Sequence, residues 1–220
     1  MAVFKPNLTS DLIKIEAQKI LSKKKIKLKI LEIGCGDGNI SKFLIEKHTK
    51  IKHNFFLSDI SLSAVNAAKK NIKNKNITIK KGNLYEPWKN QKFDIIISDV
   101  SSISEDVSKK SDWYKSVLNK SGKDGLKNIL NIMKKTHIYL NKNGIFIFPI
   151  ISLSNITKLE KTCPEIFSKF KKTKKVFWPL PFFFKKNIKK FQELKENKCI
   201  YFENKYGMYI AFTQVGICKI

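Results

Sequence analysis

Three glycines and an acid near the start of the chain have the types and spacing of a ligand-binding turn. Residues 30–33 are apolar, as in a short buried strand, and include the acid Glu32. Glycine then occupies every second position, at Gly34, Gly36 and Gly38, before residues 40–47 take up helical spacing. A strand, a glycine turn and a helix in this order form the nucleotide-binding corner of an open α/β sheet.

The details of this turn argue against a dinucleotide ligand. A pyrophosphate loop has the pattern G-x-G-x-x-G, and Asn39 stands where the third glycine belongs. The carboxylate of Glu32, just before the turn, would repel a pyrophosphate. A negative charge there suits a ligand that carries a sulfonium and an amino group.

The run Glu32-Ile33-Gly34-Cys35-Gly36-Asp37-Gly38 closely resembles motif I of the class I S-adenosylmethionine-dependent methyltransferases. The resemblance implies a Rossmann-like α/β sheet of seven strands with helices on both faces. The implied strand order is 3-2-1-4-5-7-6, with strand 7 antiparallel and inserted between strands 5 and 6. It also implies methyltransferase activity (EC 2.1.1.-) and S-adenosyl-L-methionine as cofactor, contacted in this turn by Glu32, Gly34, Cys35, Gly36 and Gly38.

A second acid ends the next predicted strand, residues 53–59. Asp59 lies about twenty residues past the turn, a spacing that brings a carboxylate beside the first loop, where it can bind both ribose hydroxyls. The segment from Asp59 to Val65 resembles the D-I-S-x-x-A stretch of the family and places Ile60 in the predicted cofactor site.

Strand 3, at residues 77–81, is followed by Gly82 and Asn83. In many methyltransferases the corresponding Asp or Asn binds the adenine amino group. The resemblance therefore makes Asn83 a candidate, with Leu84 against the adenine ring. An asparagine that only shapes a turn is the alternative.

Asp99 is the candidate catalytic residue. It follows residues 93–98, a nearly continuous apolar run that is typical of a buried parallel strand. The carboxyl end of this strand 4 lies beside strand 1, where ligands bind in open α/β sheets. Methyl transfer is an in-line displacement that needs alignment and exclusion of water. Asp99 can orient an N–H or O–H group or accept its proton, or it can be a strand cap.

Several segments resemble a narrower group, the glutamine N5-methyltransferases of release factors and related small methyltransferases. The likeness spans residues 28–150 and includes Gly82-Asn83-Leu84-Tyr85-Glu86-Pro87 for their G-D-L-F-E-P. Their N-P-P-Y motif after strand 4 is replaced by Asp99-Val100-Ser101-Ser102, and the 27 residues before strand 1 leave no room for their N-terminal helical domain. The glutamine substrate is therefore not carried over.

The other elements complete one domain. We predict an N-terminal helix and basic connector at residues 1–27 and a single methyltransferase domain at residues 28–220. The predicted elements are a helix at 9–22 capped by Thr9 or Ser10, helices at 124–140 and 154–170, and strands 5 to 7 at 144–150, 175–179 and 207–213. Aromatic residues at 113–114 and 178–184 can form a lid or stack on bases, but packing inward is the favoured interpretation.

Net charge leaves nucleic-acid binding open. The formal charge is +26, which favours polyanions, but all 44 basic residues are lysine. Arginine is preferred for bidentate contacts with bases and phosphates. An AT-rich coding bias, which enriches lysine, asparagine and isoleucine together, is an equally good explanation.

The remaining features exclude several classes of protein. No apolar run is long enough to span a bilayer and the start of the chain lacks a signal-peptide pattern. The four cysteines form no C-x-x-C pair, which indicates a reducing cytoplasm and gives no zinc signature. The acids Asp99, Glu105 and Asp106 have no histidine nearby, so no metal is predicted.

Three functions remain open from the sequence. The first is a methyltransferase acting on a polar N or O atom of an unidentified acceptor, a protein or an RNA. The second is specifically a nucleic-acid-modifying enzyme. The third is a catalytically inactive methyltransferase-fold module for binding or assembly, which the altered N-P-P-Y position favours. The intact cofactor corner favours catalysis.

Overall fold

The computed structural model describes residues 7–114 and 119–220, which form a mixed sheet with helices on both faces. The strands are β1 Lys29–Ile33, β2 Asn54–Asp59, β3 Ile77–Lys81, β4 Phe93–Ser98, β5 Leu140–Ile151, β6 Lys169–Lys172, β7 Val176–Pro179, β8 Glu203–Lys205 and β9 Met208–Lys219. The helices are α1 Leu8–Leu21, α2 Asn39–Lys47, α3 Leu62–Asn71, α4 Glu105–Lys110, α5 Lys127–Tyr139, α6 Ile156–Ile166, α7 Phe182–Lys186 and α8 Ile188–Glu196. Short 3-10 helices occupy Glu86–Trp88 and Asp112–Tyr114.

The strand order confirms the predicted fold class. The sheet runs β3-β2-β1-β4-β5-β9-β6, and the first five strands of the chain are parallel. β9 is the predicted strand 7, and it lies antiparallel between β5 and β6. The sheet has nine strands in the described residues rather than seven, because β7 and the short β8 also pair with β9.

Several boundaries were predicted wrongly at the C-terminal half. The strand predicted at 175–179 is β7, which pairs with the near end of β9, but β6, which pairs with the far end of β9, was not predicted. The helix predicted at 154–170 ends at Ile166, because residues from Lys169 onward pair with β9 instead. The helix predicted from residue 124 begins at Lys127, after Gly125 turns the chain at a φ of 74°.

The two faces of the sheet bury separate apolar clusters. Adjacent residues of one strand point to opposite faces, so Ile30 packs with the helices α1 to α3 on one side and Leu31 packs with α5 and α6 on the other. Both side chains are fully buried. Burial of one such side chain stabilises a fold by about 1.5–3 kcal/mol, which explains the nearly unbroken apolar runs of β1 and β4.

Helix α1 packs on the sheet as part of the same core. Its apolar residues Ile13, Ala17 and Leu21 are buried with the side chains of β1, β2 and β9. The predicted caps were wrong: Asn7 precedes the helix, and its Oδ1 accepts hydrogen bonds from the backbone amides of residues 9 and 10 at 2.9 and 3.4 Å. The Ser10 hydroxyl therefore does not cap the helix and can form a hydrogen bond elsewhere. The division of the chain at residue 27 remains a prediction.

A third apolar cluster covers the carboxyl edge of the sheet beyond β5. It joins α4, α7 and α8 with β7 and the start of β9. Trp113 lies 5.8 Å from Trp178 and 5.2 Å from Phe183 between ring centroids. Phe184 is fully buried, whereas Phe182 is 68% exposed. The aromatic residues 113, 178, 183 and 184 thus anchor this cover, in line with the inward packing that the sequence favoured.

The described residues include no candidate for a membrane-crossing helix. None of the helices in residues 7–114 and 119–220 combines the length and the apolar composition that a bilayer requires.

Two glycines with the same backbone conformation give a matched test of packing. Gly125 and Gly207 both have a φ of 74°. A Cβ on Gly125 would lie 2.7 Å from the backbone carbon of Ile103 and 2.8 Å from the Ser154 Cβ, whereas a Cβ on Gly207 would meet nothing within 4 Å. We expect Gly207→Ala to lower the free energy of unfolding by about 1–2 kcal/mol, from backbone strain alone.

Gly125→Ala should lower it by about 2–5 kcal/mol, because the clash adds to the same strain. Urea denaturation of both variants, monitored by circular dichroism, measures the difference. Equal losses would show that the loop before α5 is not packed as described.

Candidate functional site

The register of the parallel strands brings three sequence-predicted residues to one edge. Ile33 at the end of β1 pairs with Ser58 of β2 on one side and with Ser98 of β4 on the other. Gly34 follows β1, Asp59 ends β2 and Asp99 follows β4. They therefore lie at the same level at the carboxyl edge, which is where ligands bind in open α/β sheets.

The glycine turn has the sharp backbone that the sequence predicted. Positive φ angles occur at Gly34, Gly36 and Gly38, at 74°, 54° and 78°. At Gly34 the space is also closed, because a Cβ there would lie 2.8 Å from the Val100 Cγ1. The turn and the loop after β4 are thus in contact, and only glycine permits it.

The backbone amides of this turn are already occupied by the protein. The amides of Gly34 and Cys35 both donate to the Ser58 carbonyl oxygen, at 2.9 and 3.1 Å. The amide of Gly36 donates to Asp59 Oδ2 at 3.0 Å. Phosphate-binding loops work by pointing such amides at the ligand. The occupied amides agree with the sequence argument against a pyrophosphate.

Two carboxylates cap the helix that follows the turn. The amide of Asn39 donates to Asp37 Oδ1 at 3.1 Å, and the amide of Ser41 donates to Glu32 Oε2 at 3.1 Å. The Ser41 hydroxyl donates to the same Glu32 oxygen. Because the amino end of a helix carries partial positive charge and attracts anions, these two acids occupy amides that an anionic ligand would otherwise bind.

Glu32 lies beneath the turn and does not line an open surface. It is 1% exposed. Burial raises its pKa to about 8, the charges of Asp99 and Asp37 raise it further, and the bonds from Ser41 oppose the increase. Cys35 is also buried, at 5% exposure. The predicted contacts of Glu32 and Cys35 with a cofactor remain predictions.

Asp59 connects the turn to helix α3. Besides the Gly36 amide, it accepts the Ser61 amide on Oδ1 at 2.8 Å. Burial raises its pKa, and these amide bonds lower it in part. The next residue, Ile60, is 60% exposed, and Leu62 is 55% exposed. Asp59 thus presents a carboxylate beside apolar side chains that are open to a flat apolar ligand.

The loop after β3 places Asn83 and Leu84 at the same edge. Asn83 is exposed, and its amide donates to Glu86 Oε2 at 3.1 Å. Leu84 is half-buried with a φ of 50°, and its carbonyl accepts the Ser58 hydroxyl at 3.3 Å. The loop is therefore tied to the end of β2, and the adenine contacts of both residues remain predictions.

Asp99 is held by a residue from the start of the chain. Its Oδ2 accepts the Ser10 hydroxyl at 2.6 Å. Burial raises its pKa to about 6, whereas the Ser10 bond and the nearby charge of Lys14 lower it. In the described part of the chain no group donates to Oδ1. Asp99 is half-buried with one oxygen fixed and one available, unlike a strand cap held by backbone amides.

Ser10 and Lys14 are the site residues that sequence reasoning missed. They lie in α1, and Ser10 is 89 residues from Asp99. A serine in a helix that looks amphipathic gives no local signal for such a contact. The only available hint was that Ser10 stands in the first turn of a helix which covers the sheet.

The loop after β4 is tied down by polar contacts. The Ser101 hydroxyl lies 2.8 Å from Asn119 Oδ1, to which it donates, and 3.2 Å from the Tyr114 hydroxyl. Burial raises the pKa of Tyr114 to about 12. Within residues 7–114 and 119–220 no group of three or more His, Cys, Asp or Glu residues could hold a metal ion.

The buried Glu32 predicts a pH dependence of stability. Its folded pKa of about 8 exceeds its ordinary value of 4.5, so between these values the folded state holds a proton that the unfolded state has lost. Stability must then fall as pH rises, by up to about 1.4 kcal/mol per pH unit. We expect Glu32→Gln to abolish this fall between pH 7 and 8 and to be more stable than the wild type at pH 8.5.

Urea denaturation at several pH values measures this slope. Glu46→Gln is the control, since it makes the same substitution at an exposed glutamate of α2, the helix that Glu32 caps. A slope that is the same in Glu32→Gln as in the wild type would show that Glu32 is ionised in the folded protein.

Comparisons with solved structures show the same architecture. The precorrin-6Y C5,15-methyltransferase of Geobacter metallireducens is 12% identical with a TM-score of 0.59, over 99% of this chain and 94% of that chain. The ribosomal protein L11 methylase of Lactobacillus delbrueckii subsp. bulgaricus is 17% identical with a TM-score of 0.55, over 96% and 79%.

The 16S rRNA N2 G1207 methyltransferase of Thermus thermophilus, solved with AdoMet and guanosine, is 14% identical with a TM-score of 0.57, over 98% of this chain and 43% of that chain. At these identities the likeness shows the fold alone. No curated protein matches the sequence.

The family assignment comes from the sequence match. Residues 24–198, which include the glycine turn and all the candidate site residues after α1, match the family described as a methyltransferase domain. The chain therefore belongs to the methyltransferase domain family.

Proposed function

We propose that this protein transfers a methyl group from S-adenosyl-L-methionine to a polar nitrogen or oxygen atom of a protein or RNA acceptor. The observation that carries the proposal is Asp99, a carboxylate at the carboxyl edge with one oxygen bonded to Ser10 and the other available. A release-factor-type glutamine substrate has less support, because Val100, Ser101 and Ser102 replace the prolines and the tyrosine of that group.

The residues of the turn fit the cofactor. The occupied loop amides disfavour a phosphate, and the acids Asp37 and Asp59, which bond amides of the turn, favour a cationic ligand. Asp59 would bind the ribose, and the exposed Ile60 side chain would cover an adenine face together with Leu84. When bound, the cofactor supplies an electrophilic methyl group.

The role of Asp99 follows from its ionisation. With a pKa of about 6 the carboxylate is mostly ionised near pH 7, and it can accept a proton from an N–H or O–H group as that group becomes nucleophilic. Ser10 fixes one oxygen and so directs the other. The apolar cluster of α4, α7 and α8 lies beyond β5 at the same edge, where it would help to exclude water from the reacting groups.

The acceptor has to be found by experiment. Proteins of this fold in the comparisons are described as acting on a ribosomal protein, on ribosomal RNA and on a precorrin, so the fold leaves the acceptor class open. Mass spectrometry of RNA and protein digests from cells lacking this protein would reveal the methylated species that is lost. Cofactor binding without any lost species would favour an inactive binding module.

Asp59→Ala should weaken binding of S-adenosylhomocysteine by roughly 10- to 100-fold, the loss expected for hydrogen bonds to a charged group. Isothermal titration calorimetry measures this. Asp94→Ala is the matched control, because Asp94 also accepts a backbone amide, from Lys29 at 2.8 Å, but at the amino end of β4. The control should leave the affinity unchanged, and unchanged affinity in Asp59→Ala itself would refute the ribose assignment.

Asp99→Asn should lower the rate of methyl transfer by roughly 10²–10⁴-fold if Asp99 is the general base. Affinity for S-adenosylhomocysteine should change little. Wild-type kcat/KM should fall below pH 6, where Asp99 becomes protonated. Ser10→Ala removes a bond that lowers the Asp99 pKa, so it should move this fall to higher pH. A pH profile that both variants leave unchanged would remove Asp99 from the mechanism.

A further inference from the structure

A second cleft lies at the opposite, amino edge of the sheet. It has a volume of about 350 Å³ and is formed where α2 ends, β2 begins and α3 connects to β3. Its lining includes two of the three histidines in the chain, His48 and His53. Neither contributes to the methyl-transfer site described above.

His53 presents a hydrogen-bond donor that has no partner. Its Nδ1 accepts the Leu28 backbone amide at 3.2 Å, so in the neutral ring the proton is on Nε2. Burial lowers the pKa of His53, and the neighbouring His48 lowers it further. The side chain is 3% exposed, and Nε2 has no hydrogen-bond partner among the described residues. A buried donor of this kind needs an acceptor.

His48 adds a second unpartnered nitrogen to the cleft. Its Nε2 is also buried without a partner in the described chain, and the two rings lie 6.1 Å apart between centroids. Two imidazoles with unused nitrogens in one cleft indicate that a polar ligand or ordered water belongs there.

The positive charge of the residues that line the cleft favours an anionic ligand. Three lysines line the cleft, Lys52, Lys73 and Lys75, and the described lining contains no acidic residue. None of the three forms an ion pair with a carboxylate in the described residues. Lysine is a common ligand of phosphate oxygens, as a point charge with three donors.

We propose that this cleft binds a phosphate group, with Lys52, Lys73 and Lys75 supplying the charge and the imidazoles of His48 and His53 in its wall. The phosphate can belong to a free phosphomonoester or to the backbone of a nucleic acid. The cleft is large enough for more than one phosphate group, since small-molecule pockets begin at roughly 300 Å³.

The cleft is separate from the methyl-transfer site. His53 precedes β2 and Asp59 ends it, so the two residues are roughly 20 Å apart at about 3.3 Å per residue. The test of phosphate binding is therefore independent of the test of the proposed activity. S-adenosylhomocysteine should not displace phosphate from the cleft.

NMR of the protein labelled with ¹⁵N-histidine tests the proposal. Inorganic phosphate, AMP and a short single-stranded oligoribonucleotide with no terminal phosphate are titrated in turn at constant ionic strength. We expect the imidazole signals of His48 and His53 to shift with saturation, while His137, exposed on α5, serves as the internal control. Saturation by phosphate or AMP indicates a free phosphate ligand, and saturation by the oligonucleotide alone indicates a nucleic-acid backbone.

Paired variants separate the cleft from general positive charge. Lys73→Gln with Lys75→Gln should weaken binding by roughly tenfold or more, because charge-assisted contacts are lost. Lys69→Gln with Lys70→Gln removes the same charge from exposed positions on α3 and should change the affinity less than about twofold. Equal effects of the two pairs, or shifts no larger at His48 and His53 than at His137, would overturn the proposal and leave only water in the cleft.

Discussion

The parallel register of β1 with its two neighbours is the constraint on which the site depends. Ile33 pairs with Ser58 and with Ser98, and this alignment alone makes the glycine turn, Asp59 and Asp99 meet at one edge. A slip by one residue would turn every buried side chain of β1 toward the opposite face. Because both faces of the sheet are packed with apolar clusters, the hydrophobic effect holds the register and, through it, the site.

The edge built in this way concentrates buried acids. Burial raises the pKa of Glu32, Asp59 and Asp99 alike. Each carboxyl is compensated locally, by Ser41, by backbone amides and by Ser10 respectively. Because Asp99, with a pKa of about 6, is mostly ionised near pH 7, this edge is locally acidic inside a protein of net charge +26. Such a region favours a cationic ligand, because a positive charge there offsets the desolvation of the acids.

The two edges of the sheet therefore differ in electrostatic character. The carboxyl edge is lined by acids and covered by apolar helices, whereas the cleft at the amino edge is lined by lysines and neutral imidazoles. Parallel strands separate these edges by their full length. The many lysines, which left the meaning of the overall charge open, therefore do not all have the same role. Local geometry determines which of them lie around the unpartnered imidazoles.

The sequence by itself determined the elements whose signals are local. The turn from Gly34 to Gly38 and the buried strands could be predicted, because glycine spacing and apolar runs directly reflect backbone geometry and burial. The strand order was implied only by the resemblance of the turn to a known family. Tertiary structure decided the rest. Ser10 reaches Asp99 across 89 residues, Glu32 caps α2 beneath the turn, and residues 169–172 pair with β9 as a strand that the sequence did not indicate. These features depend on which surfaces meet after folding, and no pattern within one segment encodes that.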